Sequence, residues 1–232
     1  MIVSRIRGPV AEWTFTDEKH YVASQDWDAL HHFLAVIQGV AEILEAYELL
    51  FPAQITLFQW ISHQPQTDTV TPVIDEPDVC VTIPRDKGAH GIVSCCEEIL
   101  RHLDHRPFLY PVHIELTGTG IVFDANGQRH ELPDTIWMRC YTLAYQAMSI
   151  MTQSDAWLPY TLHAEPQPQV QRQNAIRLEA ALLEIEQYLD IDPVIGRSDY
   201  SVIDGYNLHN YRDPDGDPEP AYLGDDDEYV RT

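Results

Sequence analysis

Apolar residues recur along this chain in two rhythms, one of about 3.6 residues and one of two, and the changeovers fall at prolines, glycines and aspartates. Leu30, Phe33, Leu34, Ile37, Ala41 and Leu44 return at helical spacing. They predict a long helix with Ser24 or Asp26 as N-cap and Pro52 as its stop. Leu178, Leu182, Ile185 and Leu189 fall at i, i+4, i+7 and i+11, leaving Arg172, Glu179 and Glu186 for the wet side. A second long helix is therefore predicted over about 170–189, between Pro166 and Pro168 on one side and Asp192-Pro193 on the other. A shorter amphipathic helix is predicted where Ser94-Cys95-Cys96-Glu97 fits a capping box ahead of the Cys96, Ile99, Leu100 and Leu103 stripe.

The period of two appears elsewhere. Residues 2–10 and Trp13-Thr14-Phe15 have strand character, and 55–61 and 79–83 read as two strands joined by a loop holding Pro65, Pro72 and Pro77. Val112, Ile114 and Leu116 alternate with polar residues, Ile121-Val122-Phe123 follows, and Asn126-Gly127 suits a two-residue hairpin turn. Trp137, Cys140, Tyr141, Ala144 and Met148 are apolar at mixed spacing, which reads as helix and then strand over 135–153. Single helices alternating with antiparallel strand groups predict an α+β fold: a mostly antiparallel sheet packed with the long N-terminal helix and the helix at about 170–189. Residues 1–205 form one such domain in this reading. Residues 206–232 form an acidic tail rich in Pro, Gly and Asp, with no regular structure expected over 213–232.

Composition narrows the partners. The chain has 232 residues, 44% of them hydrophobic, enough for a well-buried core. Its net charge is -23, and 213–232 alone carry eight carboxylates against Arg231. Such a surface repels nucleic acid and anionic lipid and speeds encounter with basic proteins. No run approaches the ~20 apolar residues of a membrane span, and the N-terminus lacks a secretory pattern, so a cytoplasmic location is expected. The four cysteines are expected to be reduced, since adjacent Cys95 and Cys96 make poor disulfide partners.

Candidate chemistry is sparse. His102 and His105 lie near Cys95 and Cys96, but their spacing matches no established ligand pattern, so no metal and no cofactor are expected. Cys95, at the first turn of its helix, is the one conceivable nucleophile, and the motifs of hydrolases, nucleotide-binding proteins and zinc proteases are missing. No catalytic residues are assigned. The run Asp213-Pro214-Asp215-Gly216-Asp217-Pro218-Glu219 places Pro218 and Gly224 where a calcium loop needs Gly and Glu. These acids, with Asp225, Asp226, Asp227 and Glu228 and the aromatic Tyr222 and Tyr229, are instead candidate contacts to a basic partner.

The segment Ser154-Asp155-Ala156-Trp157-Leu158-Pro159-Tyr160, followed by Gln167, Asn174-Ala175 and Arg177-Leu178, resembles a family of bacterial immunity proteins encoded near polymorphic or contact-dependent toxins. The resemblance covers about residues 140–210 and brings no catalytic residues. It implies a non-catalytic protein that binds a toxin domain and neutralises it. Read physically, Trp157, Leu158, Pro159 and Tyr160 form an apolar corner, with Pro159 fixing the chain direction and Asp155 bonding nearby amides. The function expected from charge and resemblance together is occlusion of a basic toxin, a nuclease or another enzyme acting on nucleic acid. The alternatives are an acidic DNA-mimic regulator and an enzyme built around Cys95. Oligomeric state stays open, because the Leu178 stripe can pack internally or across a dimer.

Overall fold

The computed structural model describes residues 2–5, 8–22, 27–64, 69–73, 78–103, 109–142, 144–196, 198–221 and 228–230. The first strand, β1 (Ile2–Arg5), stands apart from the main sheet, which opens with β2 (Ala11–Val22). In α1 (Trp27–Ala46) the predicted apolar face from Leu30 to Leu44 is buried. This helix ends at Ala46 rather than at Pro52. Glu48 takes a left-handed φ of 58° and the Leu49 N–H donates to the Leu44 carbonyl at 2.8 Å, closing the helix before the proline is reached. Pro52 lies inside β3 (Phe51–Gln64), and the candidate caps Ser24 and Asp26 lie outside the described residues.

The stretch expected as a loop holds a strand, β4 (Thr69–Val73), ahead of β5 (Val79–Thr82). Pro72 stands opposite Ile61 in β4, which ends the sheet, the place where strands tolerate proline. A 3-10 turn at Gly88–Gly91 leads into α2 (Ile92–Leu103), which starts ahead of Ser94. The Ser94 hydroxyl donates back to the Gly91 carbonyl at 3.0 Å, and the Val93 N–H is taken by the Gln38 side chain of α1 at 3.1 Å. A cap borrowed from another helix leaves no local sequence signal.

Where the alternation suggests separate strands, β6 (Leu109–Phe123) runs unbroken for 15 residues. It is followed by β7 (Arg129–Pro133), β8 (Ile136–Tyr141) and β9 (Ala144–Thr152), so no helix occupies 135–153. Ile136, Met138 and Cys140 are buried while Trp137, Arg139 and Tyr141 are half-exposed, a strand period that aromatics on the outer face disguise. Then come α3 (Pro168–Leu189), β10 (Val194–Ile195), β11 (Val202–Asp204), β12 (Asn207–His209) and β13 (Glu228–Val230).

Nine strands make one antiparallel sheet in the order β10-β2-β9-β8-β6-β3-β4, with β5 also on β3 and β7 also on β6. The fold is α+β. Registered rows such as Trp13–Ile150–Met138–Leu116–Ile55 turn one sheet face toward α1 and α3 and form the core with them. Leu178, Leu182 and Ile185 are spent in that core. Among the described residues no helix is long and apolar enough to cross a membrane.

Both neighbours of β6 break register around one residue. β3 shifts between Pro52 and Gln54, and Asp134-Thr135 separate β7 from β8. Gly118 lies there, and a Cβ on it would stand 2.0 Å from the Phe51 carbonyl oxygen. Gly118→Ala is expected to destabilise the fold by about 2 kcal/mol, read as a lower urea midpoint. An unchanged midpoint would show that the kink yields without cost.

Candidate functional site

The 154–160 segment folds as a buried corner. Ser154 caps a 3-10 turn at Asp155–Trp157 by accepting the Ala156 N–H at 3.2 Å. Asp155 is fully buried, and its Oδ2 accepts the Leu162 N–H at 3.2 Å. Trp157 is buried too; its Nε1 donates to Thr152 Oγ1 at 2.6 Å, and that hydroxyl donates to the Thr135 carbonyl at 2.8 Å. Pro159 and Tyr160 are half-buried, and Asn210 bonds both the N–H and the carbonyl of Tyr160, at 3.1 and 3.0 Å. Gln167 Nε2 donates to the Asp155 and Leu158 carbonyls.

Asn174 and Arg177 of α3 are likewise turned inward. Asn174 bonds both the N–H and the carbonyl of Phe123, at 3.0 and 2.8 Å, so its amide replaces a strand partner at the end of β6. Arg177 donates to the carbonyls of Tyr47 and Ile121 at 3.0 and 2.7 Å, and its guanidinium stacks 4.7 Å from the Phe123 ring. The residues that carry the family resemblance thus hold α3 and the corner onto the sheet.

Cys95 and Cys96 are buried, and burial pushes the Cys96 thiol up to about 12, which keeps it protonated at neutral pH. The His102 side chain and His105 lie outside the described residues. Among the described residues, no three potential metal ligands converge.

The acidic segment after Asn210 is more ordered than its composition suggests. Asp213 N–H donates to the Asp217 carbonyl, Gly216 N–H donates to the Asp213 carbonyl, and Asp213 Oδ1 accepts the N–H groups of Asp215 and Asp217 at 3.0 and 2.9 Å. The same bonds close the β6–β7 loop, where Asp124 Oδ1 accepts from Asn126 and Gln128 and Gly127 has φ 78°. That loop is the longer closure with a left-handed glycine rather than the two-residue turn expected from Asn126-Gly127. Asp213 shapes this turn through Oδ1, and Asp215, Asp217 and Glu219 are exposed. Ala221 N–H donates to the Leu162 carbonyl, and β13, with Glu228 and Tyr229, pairs with β1, so regular structure persists where none was expected. Tyr222, Asp225, Asp226 and Asp227 lie outside the described residues.

Among the described residues, the open sheet face and the helical face differ in how their charges are arranged. On the sheet face turned away from the helices, Arg139 donates to Glu115 at 3.3 and 2.9 Å and lies 4.8 Å from the Trp137 ring, so its charge is already matched. On the helical face, α1 and α3 flank a groove lined by Gln38, Gly39, Glu42, Glu184, Gln187 and Tyr188. Tyr47 Oη donates to Glu184 Oε2 at 2.9 Å, and that bond raises the Tyr47 phenol above its ordinary value. On α3, Ile176 is 63% exposed and Leu183 41%, and Tyr188, which lines the groove, is 50% exposed.

No family model, curated protein or solved structure matches this chain. Neither long helix has a basic residue in its last turn, and Glu42, Glu45, Glu184 and Glu186 crowd their C-terminal halves. Of these, Glu45 and Glu186 fall in a last turn, where a carboxylate opposes the helix dipole at roughly 0.3–1 kcal/mol if exposed. Helical spacing passes over Ile176, Leu183 and Tyr188, and their signal is that they are large apolar or aromatic residues off the 178–182–185–189 stripe.

Proposed function

We propose that this chain is a non-catalytic immunity protein that binds a basic toxin domain, a nuclease or another enzyme acting on nucleic acid, and covers its active-site cleft. The observation that carries the reading is the helical face, where Ile176, Leu183 and Tyr188 are exposed on a helix that also carries Glu184 and Glu186, with Glu42 lining the groove from α1. Apolar anchors supply residence time and the surrounding charge speeds encounter. The resemblance of the 154–160 and 174–178 segments supports the immunity class, although their side chains are committed to the fold. Asp215, Asp217 and Glu219 act as rim charges in this proposal.

The test is capture from the host's lysate by the native chain and by a Leu183→Asp, Glu184→Lys variant whose circular dichroism and melting temperature match the native ones. A basic protein that survives a salt wash on the native chain is expected to be retained at least about tenfold less by the variant, a difference of ~1.4 kcal/mol. Equal retention would remove the helical face from the mechanism.

A further inference from the structure

We infer that the cleft at the C-terminal end of α1 receives an arginine side chain of that basic partner. The inference rests on the binding role proposed above and adds an anchor beside the α1–α3 groove, since Glu42 and Ala46 line the groove and Glu45 lines the cleft. The cleft holds about 660 Å³ over an apolar floor of Phe51, Pro52, Ile83 and Ile121. Both arginines at its rim already have counter-charges. Arg85 donates to the two oxygens of Glu131 at 3.0 and 2.9 Å, and Arg129 is paired with Glu48.

Glu45 is the charge left over. Its Oε2 accepts the Ala89 N–H at 2.7 Å, while Oε1 has no partner among the described residues. Gly88 makes room for this carboxylate: its φ is +51°, and a Cβ on it would stand 2.4 Å from Glu45 Oε1. An aliphatic stem fits the floor and a cation fits Glu45. A guanidinium suits the site better than an ammonium because it is more weakly hydrated and can lie flat against apolar surface while bonding a carboxylate edge-on.

The probe is N-acetyl-arginine amide, titrated into the ¹⁵N-labelled full chain. Saturable shifts are expected at the Gly88, Ala89 and Thr119 amides. Glu45→Gln, which keeps an acceptor for the Ala89 N–H, is expected to weaken them about tenfold. N-acetyl-citrulline amide, the uncharged counterpart, is expected to produce none. The site is overturned if no shift saturates, if the shifts persist in Glu45→Gln, or if citrulline reproduces them. With the captured partner, Glu45→Gln is expected to weaken binding about tenfold. A complex indifferent to Glu45→Gln yet lost with the Leu183→Asp, Glu184→Lys variant overturns the anchor and leaves the binding role standing.

Discussion

Trp157→Ala is expected to lower the melting temperature by roughly 10 °C, equivalent to about 3–5 kcal/mol in a chain of this length. Trp157 is 1% exposed in the main core and is among the largest fully buried side chains. Its removal opens a cavity that the surrounding core fills only in part. It also ends the bond from Nε1 to Thr152 Oγ1, the first link of a chain that reaches the kink at Thr135. Trp157→Phe separates the two effects: it keeps most of the ring volume, loses the donor, and is expected to cost less than the alanine variant. Thermal unfolding followed by circular dichroism measures both, and an unchanged midpoint in Trp157→Ala would show that the indole fills no core position.

Arg177→Ala is expected to cost about 3 kcal/mol. The guanidinium joins the turn after α1, through the Tyr47 carbonyl, to β6, through the Ile121 carbonyl, and it bonds Asn174 Oδ1 at 2.8 Å. Truncation leaves those acceptors short of donors inside the protein, at roughly 1–3 kcal/mol for each one that water cannot reach. It also removes the stacking contact on Phe123. Burial pulls the Arg177 pKa down, the mark of a cation held at some desolvation cost. Arg177→Lys is not expected to restore stability, because one ammonium on a narrower reach cannot span carbonyls on two elements. Urea denaturation distinguishes the outcomes, and a lysine variant as stable as the native chain would reduce the clamp to a simple charge effect.

The two long helices were legible because one buried stripe fixes a period of 3.6, as Leu30 to Leu44 and Leu178 to Ile185 illustrate. Residues 135–153 were not, since Trp137 and Tyr141 place aromatic mass on the sheet's open face and blur the period of Ile136, Met138 and Cys140. The end of α1 was set by Glu48 in a left-handed conformation, which side-chain pattern does not announce. The hairpin at 213–217 was readable in principle. Asp124-Ala125-Asn126-Gly127 and Asp213-Pro214-Asp215-Gly216 share the spacing of a capping Asp and a left-handed Gly, but composition drew attention to charge instead. The corner around Trp157 was legible as apolar, and the roles of Asn174 and Arg177 were not, because both act on backbone groups some fifty residues or more away in sequence.

Glu45 and the helical face join distant segments through folding, so neither stands out as a motif. Their signal is electrostatic, carboxylates gathered at helix ends where cations are normally favoured. Whether that surface exists to neutralise a toxin is decided by the activity of what it binds. The most direct measurement is the nucleic-acid-cleaving activity of the captured basic protein, assayed on RNA and DNA with and without one equivalent of this chain. The expected result is cleavage that the native chain abolishes at one-to-one stoichiometry and that the Leu183→Asp, Glu184→Lys variant leaves running. Cleavage unaffected by the native chain, or a captured partner with no action on nucleic acid, would contradict it.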